Sequence, residues 1–298
     1  MTNLSELGTE TANPRTVDLD IMSTHDLLTV MNTEDQTVPL AVARSLPQIT
    51  EAVDLIVAAR RQGGRLVYLG AGTSGRIGLL DAVECPPTFG TEPGEVVGLI
   101  AGGDSAFVQA AEGAEDDAHQ AEADLDALGL RSSDVVVGIA ASGRTPYVIG
   151  GLIHAGRLGA ATVSLACNRA APISRVADVA IEIETGPEIL TGSTRLKAGT
   201  AQKLVCNMLS TASMVQIGKV YRNLMVDVRP TNAKLVDRSI RIVAAAAEVD
   251  PEAATEALRD AGGSVKTAIV MLLTGYGADE ARDRLIRYGG RVRPAVER

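Results

Sequence analysis

The stretch Arg65-Leu-Val-Tyr-Leu-Gly-Ala-Gly-Thr-Ser-Gly-Arg76 joins an apolar, strand-like run to a turn rich in glycine and hydroxyl side chains. A second turn of this kind, Ile139-Ala-Ala-Ser-Gly-Arg-Thr-Pro146, also follows a β-branched run. Glycine lets backbone N–H groups approach an anion, hydroxyl groups donate hydrogen bonds, and a following helix presents its positive end. The two turns together predict one cradle for a phosphate group.

Strand-like and helix-like patterns alternate around these turns. We expect helical stretches after Ser74, Ser105 and Thr145. The alternation predicts an α/β fold with a doubly wound, mainly parallel sheet, in which ligands bind beyond the carboxyl ends of the strands, where both turns lie. The predicted strands cover residues 65–69, 95–101, 134–140, 161–166 and 178–183.

Residues 1–60 are predicted to form an N-terminal arm and helices that pack on the core. The polar residues 1–20 form the arm, which either lies on the body or meets a partner subunit. A first helix should start at Ser23 or Thr24 and continue through Met31. A second helix over residues 38–61 should kink at Pro47.

Three further regions are predicted. Residues 61–225 form the sheet domain and end with a helix that reaches about Ile217. Residues 226–248 form a connecting helix, with its helical pattern from Thr231 to Ala247. Residues 249–298 form a small module of three helices, because Asp250-Pro251 combines a helix cap with a first-turn proline.

The composition is ordinary for a soluble globular protein, with 298 residues of which 46% are hydrophobic and 22% charged. A formal net charge of −9 argues against nucleic acid or an anionic membrane as partner, because phosphate backbones are bound by excess Lys and Arg. The absence of a signal-like N-terminus and of an apolar run of transmembrane length predicts a cytoplasmic protein.

The cysteines and histidines do not predict a metal site. The three cysteines are isolated and lack CxxC spacing, so neither a disulfide framework nor a zinc site is indicated, which fits a reducing compartment. The three histidines are scattered without ligand spacing. This disfavours metal catalysis and a Ser–His–Asp triad.

Gly70, Gly72 and Gly75 also match the GxGxxG pattern of dinucleotide-binding folds. In those folds an acidic side chain that binds the ribose ends the second strand, about twenty residues further on. Here that position reads Phe89-Gly-Thr-Glu-Pro93, and the next strand ends only at Ala101. The sequence therefore favours a phosphate monoester over a nicotinamide dinucleotide.

Four hydroxyl side chains suit a terminal phosphate, whose three oxygens need donors from separate turns. They are Thr73, Ser74, Ser142 and Thr145. The alternative is that these hydroxyls only cap helices, because Ser and Thr are common at helix N-termini whatever the function. Two turns of the same kind weaken that alternative.

Glu84 is a candidate general acid. It ends the apolar run Ile77-Gly-Leu-Leu-Asp-Ala-Val-Glu84 and precedes Cys85-Pro86-Pro87, which should end the helix. A helix C-terminus disfavours a carboxylate, so burial there would favour the protonated form that a general acid needs. The alternative is an exposed glutamate at a helix end.

Two further polar groups are open to two interpretations each. Glu112 and Glu115 are predicted neighbours on one helix face, where they are either functional or part of a solvated acidic surface. Glu188 and Lys197 lie in a third polar cluster and are either sugar contacts or ordinary loop surface.

The two turns resemble those of the sugar isomerase (SIS) domain. Longer blocks resemble the N-acetylmuramic acid 6-phosphate etherase family, and the resemblance covers nearly the whole chain. These blocks are Leu80-Asp-Ala-Val-Glu-Cys-Pro-Pro-Thr88, Val97-Gly-Leu-Ile-Ala-Gly-Gly103, Glu112-Gly-Ala-Glu-Asp116, Thr191-Gly-Ser-Thr-Arg-Leu-Lys-Ala-Gly-Thr-Ala-Gln-Lys203 and Asn223-Leu-Met-Val-Asp227. The C-terminal segment resembles the small ubiquitin-associated-like helical module of this family.

The resemblance implies an enzyme of cytosolic cell-wall recycling that needs no metal and no organic cofactor. It would cleave the D-lactyl ether of N-acetylmuramate 6-phosphate into N-acetylglucosamine 6-phosphate and D-lactate. The ether oxygen is on C3, β to the C1 aldehyde of the open-chain sugar. Loss of the C2 proton therefore permits elimination, after which water adds at C3, and the reaction needs one carboxylate base and one protonated carboxyl.

By resemblance, Glu84 and Glu115 match the family's two catalytic glutamates. Glu84 would be the acid at the ether oxygen and then the base for water, and Glu115 the base at C2. Glu188 resembles a catalytic glutamate of the amidotransferase-linked isomerases, but the loop before Lys197 differs in length, so both are kept as substrate-site candidates. The 6-phosphate would be held by Ser74, Ser142 and Thr145, with Thr73 and Gly143 assisting.

Two other functions stay open at this point. One is an aldose–ketose isomerase, which needs no acid at a C3 ether, so the Glu84-Cys-Pro-Pro block disfavours it. The other is a sugar-phosphate-sensing regulatory protein, which the single SIS domain with both glutamates disfavours. Because SIS domains usually pair, we expect a homodimer with the N-terminal arm and helices at the contact; whether the two subunits share a site stays open at this point.

Overall fold

The computed structural model describes residues 7–109, 111, 113–228 and 233–297. The chain splits into two compact units. The first comprises Met1–Val83 and Gly94–Ser210, and the second comprises Glu84–Pro93 and Thr211–Arg298.

A five-stranded parallel sheet lies at the centre of the first unit. Its strands are β1 (Leu66–Gly70), β2 (Val96–Ile100), β3 (Val135–Ala140), β4 (Ala161–Ala166) and β5 (Val179–Glu182), in the order β2-β1-β3-β4-β5. All five predicted strands are confirmed to within one residue at each end. The chain passes from β1 to β2 on one side and then to β3 on the other, so the carboxyl ends of β1 and β3 form the topological switch point of the sheet.

The helices that begin in the first unit alternate with these strands. They are α1 (Thr24–Asp35), α2 (Thr37–Ala43), α3 (Leu46–Arg61), α4 (Gly72–Phe89), α5 (Ser105–Val108), α6 (Ala118–Ala127), α7 (Pro146–Arg157) and α8 (Lys197–Gln216). Short 3-10 helices cover Leu19–Ile21, Ala114–Asp116 and Pro172–Arg175. Nowhere in the described residues is a helix both long and apolar enough to cross a membrane.

Helices cover both faces of the sheet, as expected for a buried parallel sheet. On one face, Leu69 of β1 shares an apolar cluster with Leu125 of α6 and Leu152 of α7. On the other, the hydroxyl of Tyr68 shares its proton between Asp81 Oδ2 of α4, 2.8 Å away, and the carbonyl oxygen of Cys206 of α8, 3.2 Å away. Successive side chains of β1 thus contact opposite layers.

The prolines lie at positions in the helices that differ from the prediction. The pair Pro86-Pro87 does not end α4: both prolines lie inside the helix near its C-terminus, although each lacks a backbone donor and crowds the carbonyl oxygen four residues before it. Gly90 stops the helix instead, with a left-handed φ of 61°. Pro47 does not kink one long helix but lies in the first turn of α3, where its N–H would be unpaired in any case.

The described part of the N-terminal arm lies on the body of the first unit. The backbone N–H of Thr9 donates to Asn168 Oδ1 at 3.3 Å, and the hydroxyl of Thr16 donates to the carbonyl oxygen of Ile189 at 2.8 Å. Ser23 then caps α1, as predicted, but the helix continues four residues beyond Met31.

The second unit is largely helical. It contains α9 (Ala233–Ala247), α10 (Pro251–Asp260), α11 (Val265–Thr274), α12 (Ala278–Arg287) and α13 (Val292–Val296), and a hairpin of β6 (Val220–Tyr221) and β7 (Leu224–Met225). The predicted start at Thr231 lies outside the described residues. Four helices rather than three follow residue 249, because the five-residue α13 is too short to give a periodic pattern. The predicted connecting helix, α9, shares one apolar cluster with these four helices, α10 to α13.

Candidate functional site

The two glycine-rich turns begin at neighbouring strand ends. Gly70, the last residue of β1, lies beside Ile139 of β3 in the parallel register. The first turn leads through Ala71 into α4, and the second leads through residues 141–145 into α7. Both turns therefore lie at the switch point, where a doubly wound sheet binds its ligands.

The glycines of the first turn allow α4 to begin close to β1. A Cβ on Gly75 would lie 2.7 Å from the carbonyl oxygen of Gly70 and 2.7 Å from Ile100 Cγ1. Gly72 has a φ of 52°, a backbone conformation that residues other than glycine rarely adopt. The pattern thus sets the approach of the helix N-terminus to the strand, and this serves any phosphate group, not only a dinucleotide.

Gly143 has the corresponding role in the second turn. Its φ is 72°, and a Cβ on it would collide with the Cβ of Ala171. Its carbonyl oxygen accepts a hydrogen bond from the N–H of Ile173 at 3.0 Å. The turn is therefore fixed against the following segment.

The hydroxyl groups of the second turn are not used as side-chain caps of α7. Thr145 is the N-terminal cap residue of α7, but its side chain accepts no capping hydrogen bond. Ser142 Oγ accepts from the N–H of Arg144 at 3.3 Å, which closes the turn before the helix begins. Ser74 is buried and donates to Gln202 Oε1 at 3.0 Å. Capping is thus the wrong explanation for Thr145.

Glu115 lies at the wall of a cavity that also includes the first turn. The cavity has a volume of about 300 Å³. Its lining consists of Ala71, Gly72, Arg76, Ala101, Ala106, Ala111, Gly113 and Glu115. Glu115 is exposed, and the cavity places this carboxylate in the same space as the start of α4.

The predicted helix face for Glu115 is wrong. The residue lies in the 3-10 helix Ala114–Asp116, which follows the left-handed Gly113 at a φ of 75°. Glu112 lies outside the described residues. Arg76 donates to the carbonyl oxygens of Ala106 at 2.7 Å and Phe107 at 2.9 Å, so its guanidinium braces the wall of the cavity.

Glu84 lies on α4 and is exposed in the described chain. The burial that would favour a protonated carboxyl is therefore not met within this chain. Glu84 belongs to the second unit, whereas Glu115 and the two turns belong to the first.

Glu188 and Lys197 are buried, so the interpretation as ordinary loop surface is wrong. Glu188 accepts hydrogen bonds from the backbone N–H groups of Lys197 and Ala198, each at 2.9 Å, and so caps the start of α8. Burial raises the pKa of the Glu188 carboxyl above its ordinary value, although the two N–H groups and the charge of Lys197 oppose the rise.

The ammonium group of Lys197 is paired with Glu34 of α1. Its Nζ lies 2.7 Å from Glu34 Oε2, and Arg15 lies 3.0 Å from the other oxygen of this carboxylate. Burial alone would raise the pKa of Glu34, but the hydrogen bond and charge of Lys197 and the charge of Arg15 outweigh it, and the pKa is lowered. This pair ties the N-terminal helices to the start of α8.

Sequence reasoning missed Glu34 and Gln202. Gln202 lies four residues after Ala198 and three before Val205, both fully buried, so helical spacing alone could have placed it on the buried face of α8. Nothing in the sequence pairs it with Ser74, because the partners are 128 positions apart.

Comparison with known proteins finds relatives that match this chain over nearly its whole length. Family models match for the glucokinase regulatory protein N-terminal SIS domain over residues 48–155 and for the SIS domain over residues 116–212. The N-acetylmuramic acid 6-phosphate etherase of Mycolicibacterium smegmatis is 65% identical, over 99% of either chain. The etherase of Halalkalibacterium halodurans is 58% identical, over 98% of either chain.

A solved structure supports the fold. A phosphoheptose isomerase from Neisseria gonorrhoeae superposes with a TM-score of 0.51 at 18% identity, over 64% of this chain and 98% of its own. At this identity the likeness shows the SIS fold and nothing about the substrate.

Proposed function

The chain belongs to the N-acetylmuramic acid 6-phosphate etherase family, and we propose that it cleaves the D-lactyl ether of N-acetylmuramic acid 6-phosphate into N-acetylglucosamine 6-phosphate and D-lactate. Such a carbon–oxygen lyase serves the recycling of cell-wall amino sugars. The observation that carries the proposal is the cavity that Glu115 and the first glycine-rich turn line together. A carboxylate beside a phosphate cradle is what abstraction of a proton from a sugar phosphate requires.

The reaction proceeds by elimination and then hydration. Glu115 removes the C2 proton of the open-chain sugar, the C2–H electrons form a C2=C3 double bond, and the C3–O bond breaks. Glu84 donates a proton to the departing lactate oxygen. Its carboxylate then takes a proton from water, which adds at C3 while Glu115 returns a proton to C2. Each glutamate ends the cycle in its starting protonation state.

The 6-phosphate is assigned to the two turns. Ser74, Ser142 and Thr145 donate hydroxyl hydrogen bonds, and Thr73 and Gly143 assist. The uncommitted side chain of Thr145 supports this assignment, because a threonine at a helix start would otherwise be expected to cap it. The N-terminus of α7 adds partial positive charge beside the turn.

Glu188 and Lys197 contribute to the substrate site through α8. Both side chains are engaged in holding the first turn of this helix, and α8 in turn carries Gln202 to Ser74. We assign neither of them a direct bond to the sugar.

The active form is proposed to be a homodimer. The N-terminal segment exposes large apolar side chains, a liability that a second copy of the chain would remove. These are Val17 (73%), Ile21 (77%), Leu28 (58%) and Leu40 (67%). Light scattering coupled to size-exclusion chromatography tests this proposal, and a monomer at working concentration would contradict it.

The cytoplasm is the proposed compartment. All three cysteines, each in the described part of the chain, are buried thiols without a disulfide. Buried thiols of this kind fit a reducing compartment.

Release of D-lactate from N-acetylmuramic acid 6-phosphate tests the proposed activity. The purified chain is incubated with this substrate or with unphosphorylated N-acetylmuramic acid, and D-lactate is measured with a stereospecific dehydrogenase. We expect release from the phosphorylated sugar and far slower release from the unphosphorylated one. An isomerase would form a ketose phosphate without lactate, and a sensor would bind the sugar phosphate unchanged, so either result would contradict the proposal.

A further inference from the structure

Gln202 is a buried carboxamide of which only one end is paired. It lies in the second turn of α8, and its exposed fraction is 0%. Its Oε1 accepts from Ser74 Oγ at 3.0 Å, whereas its Nε2 has no hydrogen-bond partner among the residues that the structure describes. Buried amide groups are almost always paired, so an unpaired one next to a ligand site indicates a role when the ligand is bound.

The backbone that carries Gln202 is fixed beside the first turn. Gly199 lies three residues, about one helical turn, before Gln202 on the same face of α8. A Cβ on Gly199 would touch Thr73 Cγ2 at 3.6 Å. Glu188 holds the start of the same helix through two backbone N–H groups. The carboxamide is therefore presented to Ser74 by a rigid element, as a positioning group requires.

The hydroxyl of Ser74 has one proton to donate. In this structure the proton goes to Gln202 Oε1, so it is not available to a phosphate oxygen. A phosphate oxygen accepts hydrogen bonds, so Ser74 binds it as a donor only after it has released Oε1. A half-turn of the carboxamide brings Nε2 to the position of Oε1, and Nε2 can then donate to Ser74 Oγ.

We infer that Gln202 is a positioning residue for the sugar 6-phosphate, whose carboxamide turns on binding so that Nε2 donates to Ser74 Oγ and Ser74 donates to the phosphate. The inference rests on the proposed function, since it takes a sugar phosphate as the ligand. The turn pairs the amide donor with Ser74 and moves Oε1 to the position that Nε2 held. A glutamine with a merely structural role would keep the same hydrogen bond with and without ligand.

Nuclear magnetic resonance of the side-chain amide tests the turn in the unmodified protein. The Gln202 resonances of the 15N-labelled chain are assigned by their loss in Gln202→Met or, if that variant does not fold, in Gln202→Glu. N-acetylglucosamine 6-phosphate should shift one Nε2 proton downfield and slow its exchange with water, and unphosphorylated N-acetylglucosamine should do neither. An amide signal that stays unchanged while the phosphorylated sugar saturates the site would overturn the inference.

A double-mutant cycle tests whether Gln202 acts through Ser74. Calorimetry with N-acetylglucosamine 6-phosphate should show weaker binding for Gln202→Met by up to about fivefold, the scale of one neutral hydrogen bond, because the bond from Nε2 to Ser74 is strengthened while Ser74 donates to the phosphate. The variant Ser74→Ala/Gln202→Met should bind no more weakly than Ser74→Ala alone, because the hydroxyl through which Gln202 acts is gone. Losses that add independently would contradict the inference. Gln216→Met, an exposed position at the end of α8, is the matched control and should bind as the wild type does.

These measurements do not depend on ether cleavage, because the probe is the expected product. If the wild-type chain binds no N-acetylglucosamine 6-phosphate, the proposed function and this inference fail together. If it binds the probe while the Gln202 amide signal does not change and the losses of binding add independently, only the inference fails.

Discussion

The buried pair between Glu34 and Lys197 permits a quantitative prediction. The two side chains are only 8% and 3% exposed, and their charged atoms lie 2.7 Å apart. Glu34→Gln keeps the shape and leaves the ammonium of Lys197 buried without its counter-charge. Breaking a buried pair in this way costs about 3–5 kcal/mol, and we expect the lower end, about 3 kcal/mol, because Arg15, which also pairs with Glu34, is 62% exposed and the cluster therefore reaches the surface.

Urea unfolding followed by circular dichroism at pH 7 measures this loss. The double variant Glu34→Gln/Lys197→Met removes both charges and should recover to within about 1 kcal/mol of the wild type. Arg15→Met is the matched control, since an ion pair with an exposed partner contributes at most about 1 kcal/mol. A loss below about 1 kcal/mol for Glu34→Gln, or no recovery in the double variant, would refute the reasoning.

The same pair has a defined pH dependence. Because the pKa of Glu34 is lowered in the folded state from an ordinary value of 4.5, its contribution is present above pH 4.5 and is lost as the pH falls through the folded-state pKa. The difference in stability between the wild type and Glu34→Gln should therefore shrink below pH 4.5. A difference that stays constant to lower pH would show that the charge of Glu34 is not its source.

Two further predictions concern the two ends of the sheet. Thr145→Ala should raise the KM for the phosphorylated substrate roughly tenfold but lower the free energy of unfolding by less than about 0.5 kcal/mol. The control is Ser23→Ala, which removes a true helix cap and should lower the free energy of unfolding by about 1 kcal/mol without changing KM. The reverse pattern would make Thr145 a structural cap. Asp134→Asn, at the amino ends of β1 and β3, should cost about 3 kcal/mol in urea titrations without changing kcat, because the buried carboxylate accepts from Arg65 and Arg131. Burial alone would raise the pKa of Asp134, but the hydrogen bonds outweigh burial, and the pKa is lowered from its ordinary value of 3.8. The stability loss of Asp134→Asn should therefore fade below pH 3.8. A stability loss that persists there would contradict a role for the Asp134 charge.

The sheet was predictable because its signals are local. Each parallel strand is a short β-branched run bounded by turn residues, and the two glycine-rich turns lie directly after β1 and β3. Their meeting at the switch point then follows from the topology alone. The helix ends around Pro47 and Pro86 were less predictable. A proline in the first turn, such as Pro47, costs far less than one in a helix interior, and α4 continues through Pro86-Pro87 against the usual preference.

The supports of the site could not be predicted from the sequence. Lys197 contacts Glu34, 163 positions away, and Ser74 contacts Gln202, 128 positions away. Such pairs depend on how whole helices pack. Glu115 was proposed as a site residue from its motif, but its conformation was not predicted, because Gly113 takes a left-handed φ and a 3-10 turn replaces the expected helix.

Proton nuclear magnetic resonance of N-acetylmuramic acid 6-phosphate in D2O tests the central claim most directly. With the wild-type chain we expect release of lactate together with deuterium at C2 of the sugar product. Glu84→Gln should exchange the C2 proton without releasing lactate, and Glu115→Gln should do neither, each with unchanged secondary structure by circular dichroism. Lactate released without deuterium at C2, or C2 exchange that survives in Glu115→Gln, would contradict the account.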